Sequence, residues 1–339
     1  MDFKDDAVLE LLRMCNDDQR IGGACGRTHP DGKHRSPIVW HQIFEYAKDF
    51  WIIKNSQNVI GSVMCAPGCF SLYRASAIKQ VMDEYSSPTL TPLSVYYKDT
   101  GEDRWMSTLL MNRGWRLRNS AFADNTTYCP DNIEEFLKQR RRWLLSDIAN
   151  TLHVAQNLIP LMRNNDCFTA AYVLYLINLF ILNIVNPGTT IVMIAGALEV
   201  SFDIPYIATA IPLTIMVFIY AIICTQASSS TQTKLTTVVG ALMGCIFASA
   251  AATGSYWIVV DMVHDVSVGH FQLHEYYIIL LIVGSLIYSA LLHPIESYLI
   301  VYALAYVFIF PATHVLLPIY SVANIIDQSW GTREKASFF

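Results

Sequence analysis

The chain has 339 residues, 53% of them hydrophobic and 15% charged, with a mean hydropathy of +0.34 and a net charge of −5. These values exclude a disordered chain and argue against a single soluble domain. The negative balance leaves no basic footprint, so nucleic acid is not an expected partner. Charge is also unevenly spread. Residues 1–163 carry 20 of the 23 Lys and Arg and 19 of the 28 Asp and Glu, whereas 164–322 carry one lysine, Lys234, and seven acids. The composition therefore breaks near Asp166, giving a charged part (1–163), an apolar part (164–322) and a short terminal segment (323–339).

The charged part reads as mixed α/β. Residues 5–15 have helical apolar spacing behind an acidic start, and 20–27 (RIGGACGR) read as a short strand weakened by glycines. Residues 40–54 suit an aromatic-rich amphipathic helix. Residues 58–65 (NVIGSVMC) suit a strand running into the turn Ala66-Pro67-Gly68, with a further strand at 70–73 and a short helix at 78–85. Residues 102–113 open on acids, as a helix N-terminus prefers, and 133–153 read as a long helix with a basic cluster. The first twenty residues hold no apolar core of a secretory signal, so membrane insertion is expected to rest on internal segments. Cys15, Cys25, Cys65, Cys69, Cys129, Cys167, Cys224 and Cys245 form no CxxC pair, and reduced thiols are the plain reading.

The apolar part is punctuated by its few charges. Uncharged runs cover 167–198, 204–233, 235–260, 276–295 and 297–326. A helix needs roughly 20 apolar residues to cross the hydrocarbon core, so five membrane spans are expected. Asn186-Pro187-Gly188 and Phe310-Pro311 interrupt two runs, and the first break could divide its run into two shorter segments. Lys234, in the polar link TQASSSTQTK, weakly marks a cytoplasmic loop. The link 261–275 gathers Asp261, His264, Asp265, His270, His274 and Glu275; without a recurring ligand spacing, a solvated loop is the better reading than a metal cluster.

Three constellations carry chemistry. Gly101-Glu102-Asp103-Arg104-Trp105 puts adjacent carboxylates at a loop-to-helix junction, where one can serve as a general base; ordinary N-terminal helix acids are the plainer alternative. In Gln139-Arg140-Arg141-Arg142-Trp143, helical spacing puts Gln139, Arg142 and Trp143 on one face. A guanidinium matches phosphate and an indole offers a flat face for a sugar. Arg140 and Arg141 would point elsewhere, towards anionic headgroups, and a juxtamembrane basic cluster remains the alternative for the whole run. The third is Ser329-Trp330-Gly331-Thr332-Arg333-Glu334, which also suits an interfacial anchor.

Together these motifs resemble chitin synthase, a processive inverting glycosyltransferase family. GEDRW (101–105), QRRRW (139–143), the apolar run and SWGTRE (329–334) carry the resemblance. CAPGCFSLYR (65–74) and GRTHPDGKHRSPIVWHQIFEYA (26–47) add to it, and HPIESYLIVYALAYV (293–307) resembles the last spans of animal-type members. The resemblance implies the C-terminal part of a GT-A-like domain followed by a bundle of about five membrane helices. It implies Asp103 as the base on the acceptor 4-hydroxyl, with Glu102 beside it. Gln139, Arg142 and Trp143 would hold the diphosphate and the acceptor sugar. Cys65, Pro67, Gly68, Tyr73 and Arg74 would line the acceptor side, and Trp330 and Arg333 the translocation path. The implied donor is UDP-N-acetylglucosamine, the product a chitin chain, and the cation Mg2+ or Mn2+. The implied location is the plasma membrane, multi-pass, with residues 1–163 cytoplasmic; a homo-oligomer is allowed.

The family's Asp-x-Asp metal motif precedes the stretch matching Asp2-Phe3, where this sequence has only Met1. The main metal carboxylates are therefore expected to be absent, and the chain alone to be inactive. Two other readings stay open: a non-enzymatic membrane scaffold or channel fragment, and another processive synthase of the hyaluronan or cellulose type.

Overall fold

The computed structural model describes residues 2–268 and 276–327, which fall into two units. One runs to Ile184 and resumes at Ile325; the other is Val185–Asn324. The first unit is built on a four-stranded mixed sheet in the order β1-β4-β2-β3, comprising β1 (Asp2–Phe3), β2 (Ile21–Asp31), β3 (Ser71–Tyr73) and β4 (Arg116–Tyr128). β4 pairs parallel with β2, and the two edge strands pair antiparallel.

The sequence shortens β2 and misses β4. β4 is rich in Arg, Asn, Ser and Thr, so no clean alternation marks it, and irregularities between Ile21 and Gly23 and between Cys25 and Arg27 break the ladder's register. The glycines of β2 are packing devices. A Cβ at Gly26 would sit 2.0 Å from the Phe70 ring and 2.4 Å from the Ala123 carbonyl.

Helices cover this sheet. α1 (Ala7–Asp17) buries Ala7, Leu11 and Cys15 against Ile21, Ala24, Phe70 and Ala123. α2 (Pro37–Lys48) starts at Ser36, whose hydroxyl accepts from the Val39 amide at 3.3 Å. It continues through a π-helical stretch, Asp49–Lys54, into α3 (Asn55–Ile60). The strand expected at 58–65 does not form. Asn55–Ile60 are helical, Tyr172 lies against Gly61, and only Val63 donates sheet-wise, to the Leu117 carbonyl at 3.1 Å.

α4 (Ala75–Tyr85), α5 (Pro92–Lys98), α6 (Glu102–Asn112), α7 (Ile133–Gln156) and α8 (Leu158–Asn164) follow. Their core joins Val63, Met64, Ala66, Trp105, Leu109, Leu110, Leu117, Phe168 and Tyr172.

The apolar part is helical: α9 (Ala170–Phe202), α10 (Tyr206–Gln226), α11 (Ser229–Val268) and α12 (Tyr276–Leu291). A broken rod follows, made of a 3₁₀ turn (Ser297–Tyr302), α13 (Ala303–Pro311), a π-helical turn (Ala312–Leu316) and α14 (Leu317–Ala323). Among the described residues four helices are long and apolar enough to cross a membrane: Ala170–Phe202, Tyr206–Gln226, Ser229–Asp265 and Ser297–Ala323. The remaining expected span is α12, a shorter apolar helix of 16 residues.

Asn186-Pro187-Gly188 lies inside α9 without ending it, whereas Phe310-Pro311 coincides with the switch from α13 to the π turn. Asp261, His264 and Asp265 belong to α11 rather than to a loop, because the helix runs on to Val268; His270, His274 and Glu275 lie outside the described residues.

Within the second unit α11 meets the broken rod through Gly240 and Gly244. A Cβ on Gly244 would lie 2.3 Å from the Phe308 carbonyl oxygen, and one on Gly240 2.9 Å from Ala312 Cβ. This is the small-xxx-small approach that lets membrane helices touch along their backbones. Polar side chains add to it. Gln232 donates to the Cys224 and Ala227 carbonyls at 2.8 and 2.9 Å, Asn324 donates to Gln232 at 2.7 Å, and Tyr220 shares a hydrogen bond with Thr236.

Gly244→Ala should therefore destabilise the unit by about 2 kcal/mol through overpacking. Gly284→Ala, with nothing within 4 Å of the added methyl, should leave it unchanged or slightly firmer. Unfolding midpoints of the two variants in detergent test the contrast.

Candidate active site

Some of the expected site residues, Glu102, Asp103, Gly68 and Arg142, are connected around the N-terminus of α6. Glu102 and Asp103 occupy its first turn, where the helix dipole favours carboxylates. Asp103 is half-buried and doubly held: the Gly68 amide donates to Oδ2 at 3.1 Å, and the Arg104 amide donates to Oδ1 at 2.8 Å. Ser107, one turn on, donates its hydroxyl to the Asp103 carbonyl at 2.8 Å and accepts from the Ala66 amide at 3.0 Å. The Cys65–Gly68 turn is thus bolted to α6 at two points.

α7 supplies the other side. Arg142 lies 3.6 Å from the Glu102 carboxylate and donates to the Thr100 carbonyl at 2.7 Å. Arg104 pairs with Asp147, and Thr108 donates to Asn150 at 3.0 Å. The two helices close tightly because residue 101 has no side chain: a Cβ there would be 1.6 Å from Ser146 Oγ. Arg142 thus reaches Glu102, the neighbour of Asp103 in the first turn of α6.

The arginine run divides in three directions. Arg140 is buried, pairs with Glu45 at 2.6 Å, and lies 4.3 Å from the Trp143 ring centroid and 5.1 Å from that of Phe136. Arg141 is buried and pairs with Asp327. Neither is left for lipid headgroups, contrary to the sequence expectation. Long cationic side chains on this helix are enclosed by α2 and by the chain beyond Ile325, so carboxylates replace the solvent. Gln139 keeps a buried side-chain oxygen with no hydrogen-bond partner among the described residues.

The remaining expected residues spread out. Tyr73 donates its hydroxyl to the Ala66 carbonyl at 3.3 Å, and Ser71 donates to Pro67 at 2.7 Å, which steadies the turn. Arg74 is spent at the α1–β2 corner. It donates to the Ile21 carbonyl and the Gln19 side chain, both at 2.9 Å, and to the Cys15 carbonyl. Trp330 and Arg333 lie outside the described residues.

Sequence reasoning missed Ser107, Ser146, Glu45 and Asp327. Ser107 follows Asp103 by one helical turn, a spacing that could have flagged it. The other three act across long sequence separations and carry no local signal.

Burial, helped by the charge of Asp103, pushes the Cys65 thiol up to about 12. Its alkylation by iodoacetamide at pH 8, read by peptide mass spectrometry, should be about a thousandfold slower than that of an unhindered cysteine. A second expectation concerns the seam. Gly101→Ala should separate α6 from α7 and lower the unfolding midpoint, and Ser146→Gly should restore it in the double variant. Additive losses would show that the two positions do not share the contact.

The family model for chitin synthase matches residues 2–265. A chitin synthase of Meloidogyne artiellia is 35% identical over 339 residues, covering 99% of this chain and 18% of that protein. Chitin synthase chs-2 of Caenorhabditis elegans is 34% identical over 336 residues, 98% of this chain and 20% of that protein. Chitin synthase csmA of Emericella nidulans matches half of this chain, at 30% identity over 185 residues, and 10% of its own length. The chain thus spans about a fifth of the length of the nematode relatives it matches.

Proposed function

The chain belongs to the chitin synthase family, and we propose that it supplies the acceptor side and the membrane helices of an enzyme that transfers N-acetylglucosamine from UDP-N-acetylglucosamine to the end of a growing chitin chain with inversion. Asp103 takes the proton of the acceptor 4-hydroxyl as that oxygen bonds to the donor's anomeric carbon. The bond to the UDP oxygen breaks at the same time, and Arg142 balances the charge on the departing diphosphate. Trp143, braced by Arg140, offers the acceptor sugar a flat face. Gln139 brings an amide oxygen that has no hydrogen-bond partner among the described residues.

The observation that carries this reading is the junction itself: Arg142 reaches Glu102, and the neighbouring carboxylate of Asp103 is aimed by the Gly68 amide. The membrane helices fit a route for extruding a polymer that lipid would not pass. The proposal locates them in the plasma membrane, with residues 1–163 on the cytoplasmic side, and assigns Trp330 and Arg333 to the polymer's path.

A divalent cation, Mg2+ or Mn2+, belongs to the family expectation; of the two carboxylates at this junction, Glu102 already faces a guanidinium, and Asp103 alone makes no ligand set for it.

In the full-length protein Asp103→Asn should lower incorporation of labelled N-acetylglucosamine into insoluble polymer by a factor of about 10² to 10⁴. Chitinase should digest the wild-type product. A product resistant to chitinase would leave a different synthase, no polymer at all would leave a scaffold, and wild-type activity in the variant would remove Asp103 from the chemistry.

A further inference from the structure

The turn that aims Asp103 is itself gripped from behind, by a residue with no part in the site described so far. Its carbonyls are taken in succession: Ser62 by the Tyr172 hydroxyl at 2.5 Å, Ala66 by Tyr73 and Pro67 by Ser71. The Cys65 carbonyl takes the ammonium of Lys54 at 2.6 Å. Lys54 is 8% exposed, and lysine is seldom buried so far without a task.

It ends the π-helical stretch Asp49–Lys54, a rare arrangement that is frequent at functional sites. Burial works against its charge, but the Asp49 carboxylate at the other end of the same stretch outweighs this and holds the ammonium above its ordinary range. α3, which continues the same helical segment, adds a hold just ahead of the turn at Gln57, whose side-chain oxygen accepts from the Met64 amide at 3.2 Å.

From Cys65 the path to the reacting carboxylate is short. The next amide, of Ala66, donates to Ser107, and the Gly68 amide donates to Asp103. We propose that Lys54 is a positioning residue. Its ammonium fixes the Cys65–Gly68 turn so that the Gly68 N–H holds the Asp103 carboxylate in the orientation the transfer requires. The functional half of this proposal rests on Asp103 being the base. A charged donor suits the task, since an ammonium-to-carbonyl bond is stronger than a neutral one and has no competing water at a buried site.

The test uses the full-length protein in detergent micelles, as Lys54→Met, which keeps the bulk without the donor, and as Lys54→Arg, which keeps a charged donor. Hydrogen–deuterium exchange reads the turn, and steady-state synthesis from UDP-N-acetylglucosamine reads the chemistry. In Lys54→Met, exchange at Gly68 should quicken about tenfold while β2 and α6 stay protected, as expected for loss of one charge-assisted bond. The kcat should fall about a hundredfold with KM within roughly a factor of two, since misplacement of a reacting group costs turnover rather than binding. Lys54→Arg should recover much of both.

Unchanged exchange at Gly68, or faster exchange with an unchanged kcat, overturns the proposal. So does loss of protection throughout the fold, which would make Lys54 a general anchor. If the unsubstituted full-length protein makes no polymer, the transferase reading fails, and exchange at Gly68 still decides whether Lys54 holds the turn.

Discussion

The arrangement depends on one close approach, that of the α6 N-terminus to α7 at Gly101. No other residue type fits there, because any Cβ would occupy the space of the Ser146 hydroxyl. The approach brings Glu102 within reach of Arg142 and lets Arg104 pair with Asp147. It also sets Asp103 on the side of α6 that meets the Cys65–Gly68 turn. The carboxylate is oriented by backbone amides rather than by flexible side chains, so little conformational freedom is left to lose when a substrate arrives.

Three successive arginines would repel one another on an open surface. On α7 they are separated by helix geometry, since consecutive residues point about 100° apart. Each finds a carboxylate from a different part of the fold: Glu45 on α2, Asp327 beyond Ile325, and Glu102 on α6. A buried ion pair adds little net stability but is costly to break. The run therefore works as a hub that fixes three elements against α7 in one register, which a hydrophobic stripe would specify less sharply.

The apolar helices obey a different solvent. In lipid there is no hydrophobic force between helices, so backbone proximity and polar contacts must hold them. Gly240 and Gly244 give the first, and Gln232 with Asn324 the second. Pro311 has no amide to donate, and the helix responds by widening into a π turn at the next residues.

Much of this was legible in the sequence. The uncharged runs located the apolar helices, since 20 residues without a charge have few other homes. Helical spacing found α1, α6 and α7 and put Gln139, Arg142 and Trp143 on one face, and the family resemblance added Asp103 to them as a candidate. Those signals are local, carried by periods of a few residues. β4 was hidden because its polar residues are buried by a partner far away in the chain, so its pattern lacks alternation. The supposed strand at 58–65 failed for the converse reason: its apolar residues serve a core reached from a helix end and a turn. The partners of Arg140 and Arg141, the Ser146 contact and the hold of Lys54 on Cys65 each join positions that only folding brings together. Composition and periodicity determined what kind of protein this is; three-dimensional packing decided which charged groups meet, because a buried charge must find its counterpart wherever the fold delivers one.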